Sequence, residues 1–499
     1  MKTVNQIIAW LNTPNHVKCT LVDIEDVVTT LIPAKTEKEV YFSSAVYNNN
    51  DNLNYIPIIS GGLNFSESLS VDGSISSGFG SLELTNAGGV YDYLLDYIWK
   101  RRPVKIYLGD VTWPKSDFVM IFDGLIEDLV STNESTLVIS LFDKLQRLND
   151  NISEDNLSTT EYSQKTEQTL LPLLFGECFN VQPLLVDNGS SLEGGQVYMY
   201  HNGPTNGIIE VRDNGVPIEV DEDVTTGTFS LQTTPRGTIT CSAQGRTPYS
   251  NTVAGIITTL VKYYGIEINR FTDAEINFQE FTNNSKVGIY CKDRTNILDA
   301  CSQLAKSVNS GLVCPSITLE ANGTVGASKL KLVELKDPSG TAKHTFTDAS
   351  MVEGSLSVTQ TFPIRTVLKL SYCKNYTVQT SIAAGLNPTI NFSQEYLVAD
   401  FSDPALQELY KDNGTVEPEE TLLIVESEAE TELTKRKNLW SKPRSLITAT
   451  YLPEHIFVQL GDIVSIQSTR FNLSVAKKGI VFSLNRDWLS GMIEIGVLV

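Results

Sequence analysis

The segment Leu170-Leu-Pro-Leu-Leu-Phe-Gly-Glu-Cys-Phe-Asn-Val-Gln-Pro-Leu-Leu-Val-Asp187 is apolar along its length and cannot be a helix. Pro172 and Pro183 each lack a backbone donor, and Gly176 interrupts the middle. A run punctuated in this way is expected to be buried and extended, tying two β units together. It carries no residue set for catalysis.

A chain of 499 residues is too long for one core, so several domains are expected. With 41% hydrophobic and 19% charged residues the composition is that of a globular protein. No apolar run reaches the roughly 18 residues that span a membrane. The start, Met1-Lys-Thr-Val-Asn-Gln-Ile-Ile-Ala-Trp-Leu, lacks the apolar core of a secretory signal, so synthesis in the cytoplasm is expected. The net charge of -21 argues against DNA binding through phosphates. The basic run Lys100-Arg-Arg102 follows an apolar stretch and reads as the cationic end of a helix.

Residues 17–150 read mostly as short strands, with turn signals between them. Asn48–Asn52 reads as a loop tip, and a short helix is expected over Val90–Arg101, with Tyr91, Leu94, Leu95 and Ile98 on one face. Phe118–Leu129 and Ser135–Asp143 are expected to pair antiparallel. Residues 151–169 are polar and read as a linker, and 196–245 as β with a hairpin turn at Asn214-Gly215. The period changes at Thr252. Val253, Ile256, Ile257, Leu260 and Val261 predict one helix, and Leu298, Cys301, Leu304 and Val308 a second. From Gly354 the β pattern returns, broken by a strongly acidic, partly helical stretch near 400–440. The strand led by Gly124 and its return strand echo the pair led by Gly479, a similarity that any β protein can show by chance.

The fold class expected is mainly β with a small α+β insertion. Chemistry is hard to find in this chain. His16, His201, His344 and His455 are far apart in sequence and read as structural. Seven cysteines form no Cys-x-x-Cys pair, and even Cys291, Cys301 and Cys314 lack ligand spacing, so reduced, buried thiols are expected. Asp221-Glu-Asp223 lacks the spacing of a calcium loop. The cluster from Glu417 to Glu432 reads as a solvated helix start or loop. Gly78-Phe-Gly80 and Gly88-Gly89 read as turns rather than phosphate cradles. No catalytic, cofactor-binding or metal residue is assigned, and no cofactor is expected. A glycosidase carboxylate pair could still hide among 59 acidic residues.

Several segments together resemble the baseplate hub and tail-tip proteins of tailed bacteriophages. They are Gly88–Asp110 with Phe122-Asp-Gly-Leu-Ile-Glu127, the Leu170–Asp187 pattern, Lys286–Asp299 with its helix, Val367–Gln379, and the ending from Gly461-Asp-Ile-Val to Trp488. They span nearly the whole chain. The resemblance implies a non-enzymatic homotrimer in which each subunit gives two β-barrel-like hub domains, here 1–158 and 345–499. These are joined by a β-rich middle domain, 159–250, and a small α+β domain, 251–344. Three subunits would then match a sixfold tail tube to a threefold tip and form part of the DNA exit channel.

The partners implied are further copies of the chain, the tail tube protein, distal tail or other baseplate proteins and tail fibre or tip proteins, with passive contact to exiting DNA. The location implied is the virion tail. Some tail-tip proteins of this kind carry an iron–sulfur cluster, and no compact cysteine set here matches one. No lysozyme-like, peptidase or adhesin module follows Val499, so wall cleavage and receptor binding are expected of other chains. The rival readings are a tail-associated glycan hydrolase and a receptor-binding β protein.

Overall fold

The structure, a computed structural model, describes residues 2–14, 16–30, 35–48, 53–152, 169–187, 195–379, 393–411 and 414–499. The expected loop tip at Asn48–Asn52 and the polar linker lie largely outside them. Helix α1 (Val4–Leu11) opens the chain on a capping box, in which Thr3 and Gln6 bond each other's backbone N–H. Its apolar side, Ile7, Trp10 and Leu11, packs into the core of the first sheet.

That sheet collects β1 (Lys18–Thr30), β2 (Thr36–Ser43), β3 (Ile56–Pro57) and β4 (Ile59–Gly61). The next two strands, β5 (Asn64–Leu69) and β6 (Ile75–Gly78), form a hairpin that leaves it. The chain then returns as β7 (Ser81–Thr85), β8 (Pro103–Asp110), β9 (Val119–Asn133) and β10 (Thr136–Phe142). The order β3-β2-β1-β8-β9-β10-β7-β4 makes a nearly closed, barrel-like sheet. Val22, Ile24, Leu82, Leu84, Ile106, Leu108, Leu137 and Ile139 alternate inward, as period-two sequence requires.

The expected helix over Val90–Arg101 is not there. The segment makes two short 3₁₀ turns, Ala87–Gly89 and Asp92–Asp96. Gly88 and Gly89 take positive φ at one end and Arg101 does so at the other, which breaks the α repeat. The Trp99 indole donates to the Leu94 carbonyl at 2.7 Å, and Ile98 bridges Val28. Leu94 is buried, whereas Leu95 and Ile98 face outward. Lys100-Arg-Arg102 therefore caps no helix.

The Leu170–Asp187 segment becomes β11 (Leu173–Val181) and β12 (Leu184–Asp187). Two small sheets take up β13 (Val197–Met199), β14 (Thr205–Asp213), β15 (Val216–Ile218), β16 (Val220–Asp223), β17 (Thr228–Leu231), β18 (Ile239–Arg246) and β19 (Gly288–Cys291). One runs β15-β14-β18-β11-β19 and the other β12-β13-β17-β16. Strand β11 divides two cores: Leu173 and Phe175 pack with the helical unit, Leu174 and Cys178 with the β unit. Gly176 sits opposite Gly288, and a Cβ on it would lie 2.1 Å from the Val287 carbonyl oxygen. The glycine that the sequence presents as a break is a close backbone approach inside a strand. Asn214 and Gly215 both take positive φ in the β14–β15 turn, as the sequence predicts.

Helix α2 (Val253–Tyr263) starts on Thr252, and α3 (Ile297–Lys306) starts on Asn296, whose side chain accepts from Leu298 and Asp299 N–H. Both helices bury the faces named from sequence. Short strands β20 (Ser310–Val313), β21 (Thr318–Leu319), β22 (Val325–Gly326) and β23 (Lys331–Glu334) complete this part.

The last sheet holds β24 (His344–Thr347) and β25 (Ser357–Phe362). An inserted unit follows, with β26 (Val367–Tyr372), β27 (Leu397–Ser402), α4 (Pro404–Tyr410), β28 (Glu419–Glu420) and α5 (Glu426–Trp440). The sheet resumes with β29 (Arg444–Tyr451), β30 (Ile463–Gln467), β31 (Lys477–Asp487) and β32 (Met492–Leu498). Its order is β24-β30-β31-β32-β29-β25, and β5 from the first sheet's hairpin adds onto β31.

Strand for strand, β8-β9-β10-β7-β4 and β30-β31-β32-β29-β25 follow the same path. The echo between Gly124 and Gly479 falls at the same place on both. Glu127 is an extra residue between β9 and β10, and Phe482 is an extra residue between β31 and β32, each the third after its glycine. A Cβ on Gly124 would lie 2.4 Å from the Phe142 carbonyl oxygen, and one on Gly479 would lie 2.8 Å from that of Leu498. Arg101 (φ 60) and Gly461 (φ 82) both turn left-handed just before β8 and β30. Each donates its N–H across the bulge, to Ile126 at 2.8 Å and to Val481 at 2.9 Å. The match ends beyond β8 and β30, since β1 runs antiparallel to β8 but β24 runs parallel to β30.

Because a Cβ at each glycine would meet a backbone carbonyl oxygen as well as a packed side chain, Phe122 at Gly124 and Val497 at Gly479, Gly124→Ala and Gly479→Ala are each expected to cost about 1–3 kcal/mol. Urea unfolding of the two variants measures this, and a change within experimental error in both would contradict the close-approach reading.

Candidate functional site

The residues singled out from sequence are mostly structural in their surroundings. His201 is buried, and its Nδ1 accepts from the Leu174 N–H at 2.8 Å. Burial, helped by the positive charge of Arg246, pushes it down to about 3, so the ring is neutral. His16 contacts the Thr13 carbonyl and lies against Trp10. All seven cysteines are buried, and burial pushes the Cys291 thiol up to about 12. Asp221, Glu222 and Asp223 point to different partners: Gln232, Tyr200 with Ile208, and Thr225. Among the described residues no group of three or more His, Cys, Asp or Glu side chains gathers to hold a metal. Gly80, Gly88 and Gly89 take positive φ, in keeping with turns.

The acidic cluster differs from expectation. Only part of it is solvated. Glu432 is buried and accepts from Arg436 Nε at 3.0 Å. Arg365 meets Glu419 at 2.8 Å, and Arg436 pairs with Glu419 as well. Glu428 accepts the Lys286 N–H at 2.7 Å. These contacts fasten α5 to the helical unit. The local signal was Glu432 and Arg436 at i,i+4 beside Leu433 and Trp440.

The densest buried polar chemistry lies where the two large sheets meet. Phe65, Glu67 and Leu69 point inward from β5, and Leu484 and Arg486 point inward from β31. Glu67 and Arg486 are both essentially inaccessible, and their oxygen and nitrogen are 3.4 Å apart. Arg486 also donates to the Ile456 carbonyl at 3.0 Å and to that of Val458 at 2.5 Å. Glu67 accepts the Ser316 N–H at 3.0 Å. One ion pair thus joins β5, β31, the β29–β30 connection and the segment before β21. Nothing in local sequence links residues 67 and 486. The available signal was a charge at an inward position of an alternating strand, once in each.

Beside this pair a cleft of about 390 Å³ is lined in part by Glu280, Lys331, Lys343, His344 and Asp462. The structure brings His344 and His455 together here, with ring centroids 6.4 Å apart. Asp462 accepts the Gln459 N–H at 2.9 Å and meets Lys343 at 2.8 Å and His344 at 3.7 Å. Burial alone would raise its carboxyl, but these partners hold it below the usual range. His455 packs on Phe346 and Tyr451, and burial, then His344, lowers it to about 4. Alternating charges that satisfy one another suit a structural seam. No described side chain here stands as an activated nucleophile beside a base.

No family model matches the chain, and no curated protein sequence matches it. Solved structures similar to it include the 43 kDa tail protein of prophage MuSo2 from Shewanella oneidensis, at 12% identity and TM-score 0.39, covering 96% of this chain and 98% of that one. A tail protein from Neisseria meningitidis MC58 matches at 10% identity and TM-score 0.39, covering 96% of each chain. Prophage tail protein gp18 from Listeria monocytogenes EGD-e matches at 7% identity and TM-score 0.39, covering 96% of this chain and 94% of that one. Likeness at this level does not define a common fold.

Two outcomes follow from the joint. Arg486→Met is expected to cost about 3–5 kcal/mol, because it strands Glu67 without its cation. Glu67→Gln is expected to cost less, since Arg486 keeps its two carbonyls. Equal, negligible losses in chemical denaturation would show that the pair is not a joint. The second outcome concerns pH. Burial lowers His455 to about 4 in the folded state from the ordinary 6.5 of a histidine, so the folded state binds fewer protons between these limits. Stability is then lost as pH falls from about 6.5 toward 4. His455→Phe should flatten that slope in melts taken across this range, and an unchanged slope would exclude His455 as its source.

Proposed function

We propose that this chain is a structural, non-enzymatic component of a phage tail, a baseplate hub or tail-tip subunit located in the virion. The observation that carries the reading is the repeated strand path within one chain, with its bulge, glycine and left-handed residue in matching places. A subunit with two like units turns three copies into six similar positions, which is what a sixfold tube meeting a threefold tip requires. In this reading 1–158 and 345–499 are the two hub domains, and 159–250 and 251–344 are the middle domains. The buried Glu67–Arg486 joint supports it, because a load-transmitting ring needs its halves fixed to each other.

The assembly proposed is a homotrimer contacting the tail tube protein, other baseplate or distal tail proteins, and fibre or tip proteins. The net charge of -21 suits a surface that exiting DNA does not stick to. The experiment is a pull-down and negative-stain imaging of the full chain with its cognate tail tube protein. Threefold rings seated on tube ends are expected. Failure to bind tube under all salt conditions, or turnover of peptidoglycan or capsule abolished by one carboxylate substitution, would overturn the reading.

A further inference from the structure

The two sheets differ in how the connection that follows their matching strands β7 and β29 is covered. In the last sheet this is 452–462, and Ile456, Phe457 and Val458 there are at most 4% exposed. Ile456 and Phe457 enter the core that contains α1 and the first sheet, and the adjacent half of β31, Ser483–Asp487, is paired by β5. The first sheet therefore covers this face of the last sheet within the chain.

In the first sheet the equivalent connection is 86–102. Its Val90 is 65% exposed, with Tyr93, Leu95 and Ile98 each above 40%. The half of β9 that matches the β5-paired half of β31 is Asp128–Thr132. It pairs with β10 on one side and with no described strand on the other, and its Val130 is 44% exposed. The same face is thus buried on one sheet and bare and apolar on the other.

The covering piece has a counterpart too. The β5–β6 hairpin lies between β4 and β7, and the matching insertion lies between β25 and β29. That insertion carries Val398, Leu409, Tyr410 and Val416, all 40% exposed or more, on and around α4. Charge does not set the match: on the first patch Lys100 stands near Asp92, Asp96 and Asp128 while Arg101 pairs with Asp150 and Arg102 with Glu37, and on the second Lys411 stands near Asp400 and Glu408. The two patches correspond through their exposed apolar side chains and their places in the repeat.

We infer that the 86–102 connection and the free half of β9 are the docking surface for a second copy of this chain, which presents its α4 insertion. The contact repeats between copies the packing of first sheet on last sheet seen within one copy. It is head-to-tail, so identical contacts propagate until they close a ring. This deepens the hub reading and rests on treating the two sheets as repeated units.

Sedimentation velocity of the full chain over a concentration series tests it, with circular-dichroism melts as the control for folding. Wild type is expected to self-associate. Leu95→Glu and Leu409→Glu, both at exposed positions, should each weaken association by roughly tenfold or more without lowering the melting temperature. Mixing the two variants leaves one intact interface per pair, so discrete dimers should form. Val130→Glu serves in place of Leu95→Glu if the latter melts early. A wild type that stays monomeric at high micromolar concentration, variants that associate like wild type, or a mixture without dimers would each overturn the inference. Tube binding by such a monomer would leave the hub reading intact, whereas self-association without tube binding would retain this interface and sink the hub reading.

Discussion

The structure depends on one ion pair that is out of reach of water. Glu67 and Arg486 lie at the centre of a contact between strands from opposite ends of the chain. Their desolvation is costly, and their Coulomb attraction alone does not guarantee a net gain. What makes the arrangement secure is that Arg486 also serves the Ile456 and Val458 carbonyls, while Glu67 takes the Ser316 N–H. The two carbonyls lie on a buried connection and are satisfied there by the guanidinium. The pair also specifies register. Sliding β5 along β31 by one residue would turn Glu67 out of the core and bring its neighbours in.

This contact explains why the two sheets behave as one body despite separate cores. Ile456, Phe457 and Trp488 come from the last sheet's part of the chain but pack with the first sheet's interior. Leu69 and Ile75 come from the first sheet's hairpin but pack with the last sheet's interior. Each sheet lends side chains to the other, so neither interior is complete alone. The matched bulges sit next to this exchange. A bulge sharpens local twist and re-aims the strand that follows. After Phe482 the re-aimed half of β31 is the half that receives β5.

Much of the fold was legible because it obeys local rules. The alternation in β8 to β10 and in β30 to β32 set those strands, and the change of period at Thr252 and the apolar face from Leu298 to Val308 marked two helices. The buried, extended character of Leu170–Asp187 followed from two prolines and a glycine. The segment 86–102 misled because Tyr91, Leu94, Leu95 and Ile98 imitate a helical stripe. Backbone geometry, with Gly88, Gly89 and Arg101 left-handed, overrode that pattern. The joint itself could not be read, since it is a pairing of residues far apart in sequence. The glycine echo was visible, but its meaning lay in carbonyl oxygens that only the folded strands bring near.

The distribution of charge completes the physical picture. Many cations are engaged inside or at the edges of the packed elements: Arg486 with Glu67, Arg436 with Glu432, Lys144 with Asp123, Arg444 with Asp337. In each case a long cationic side chain also reaches backbone carbonyls or a second acid, or its acid takes a backbone N–H. The structure therefore places a good part of its 38 basic residues where they act as struts. The remaining surface is correspondingly more acidic than the ratio of 38 to 59 suggests. Lys100–Arg102 follows the same rule at the surface, where Arg101 pairs with Asp150 and Arg102 with Glu37, so the cations beside the bare apolar side chains are held in large part by acids of the same chain.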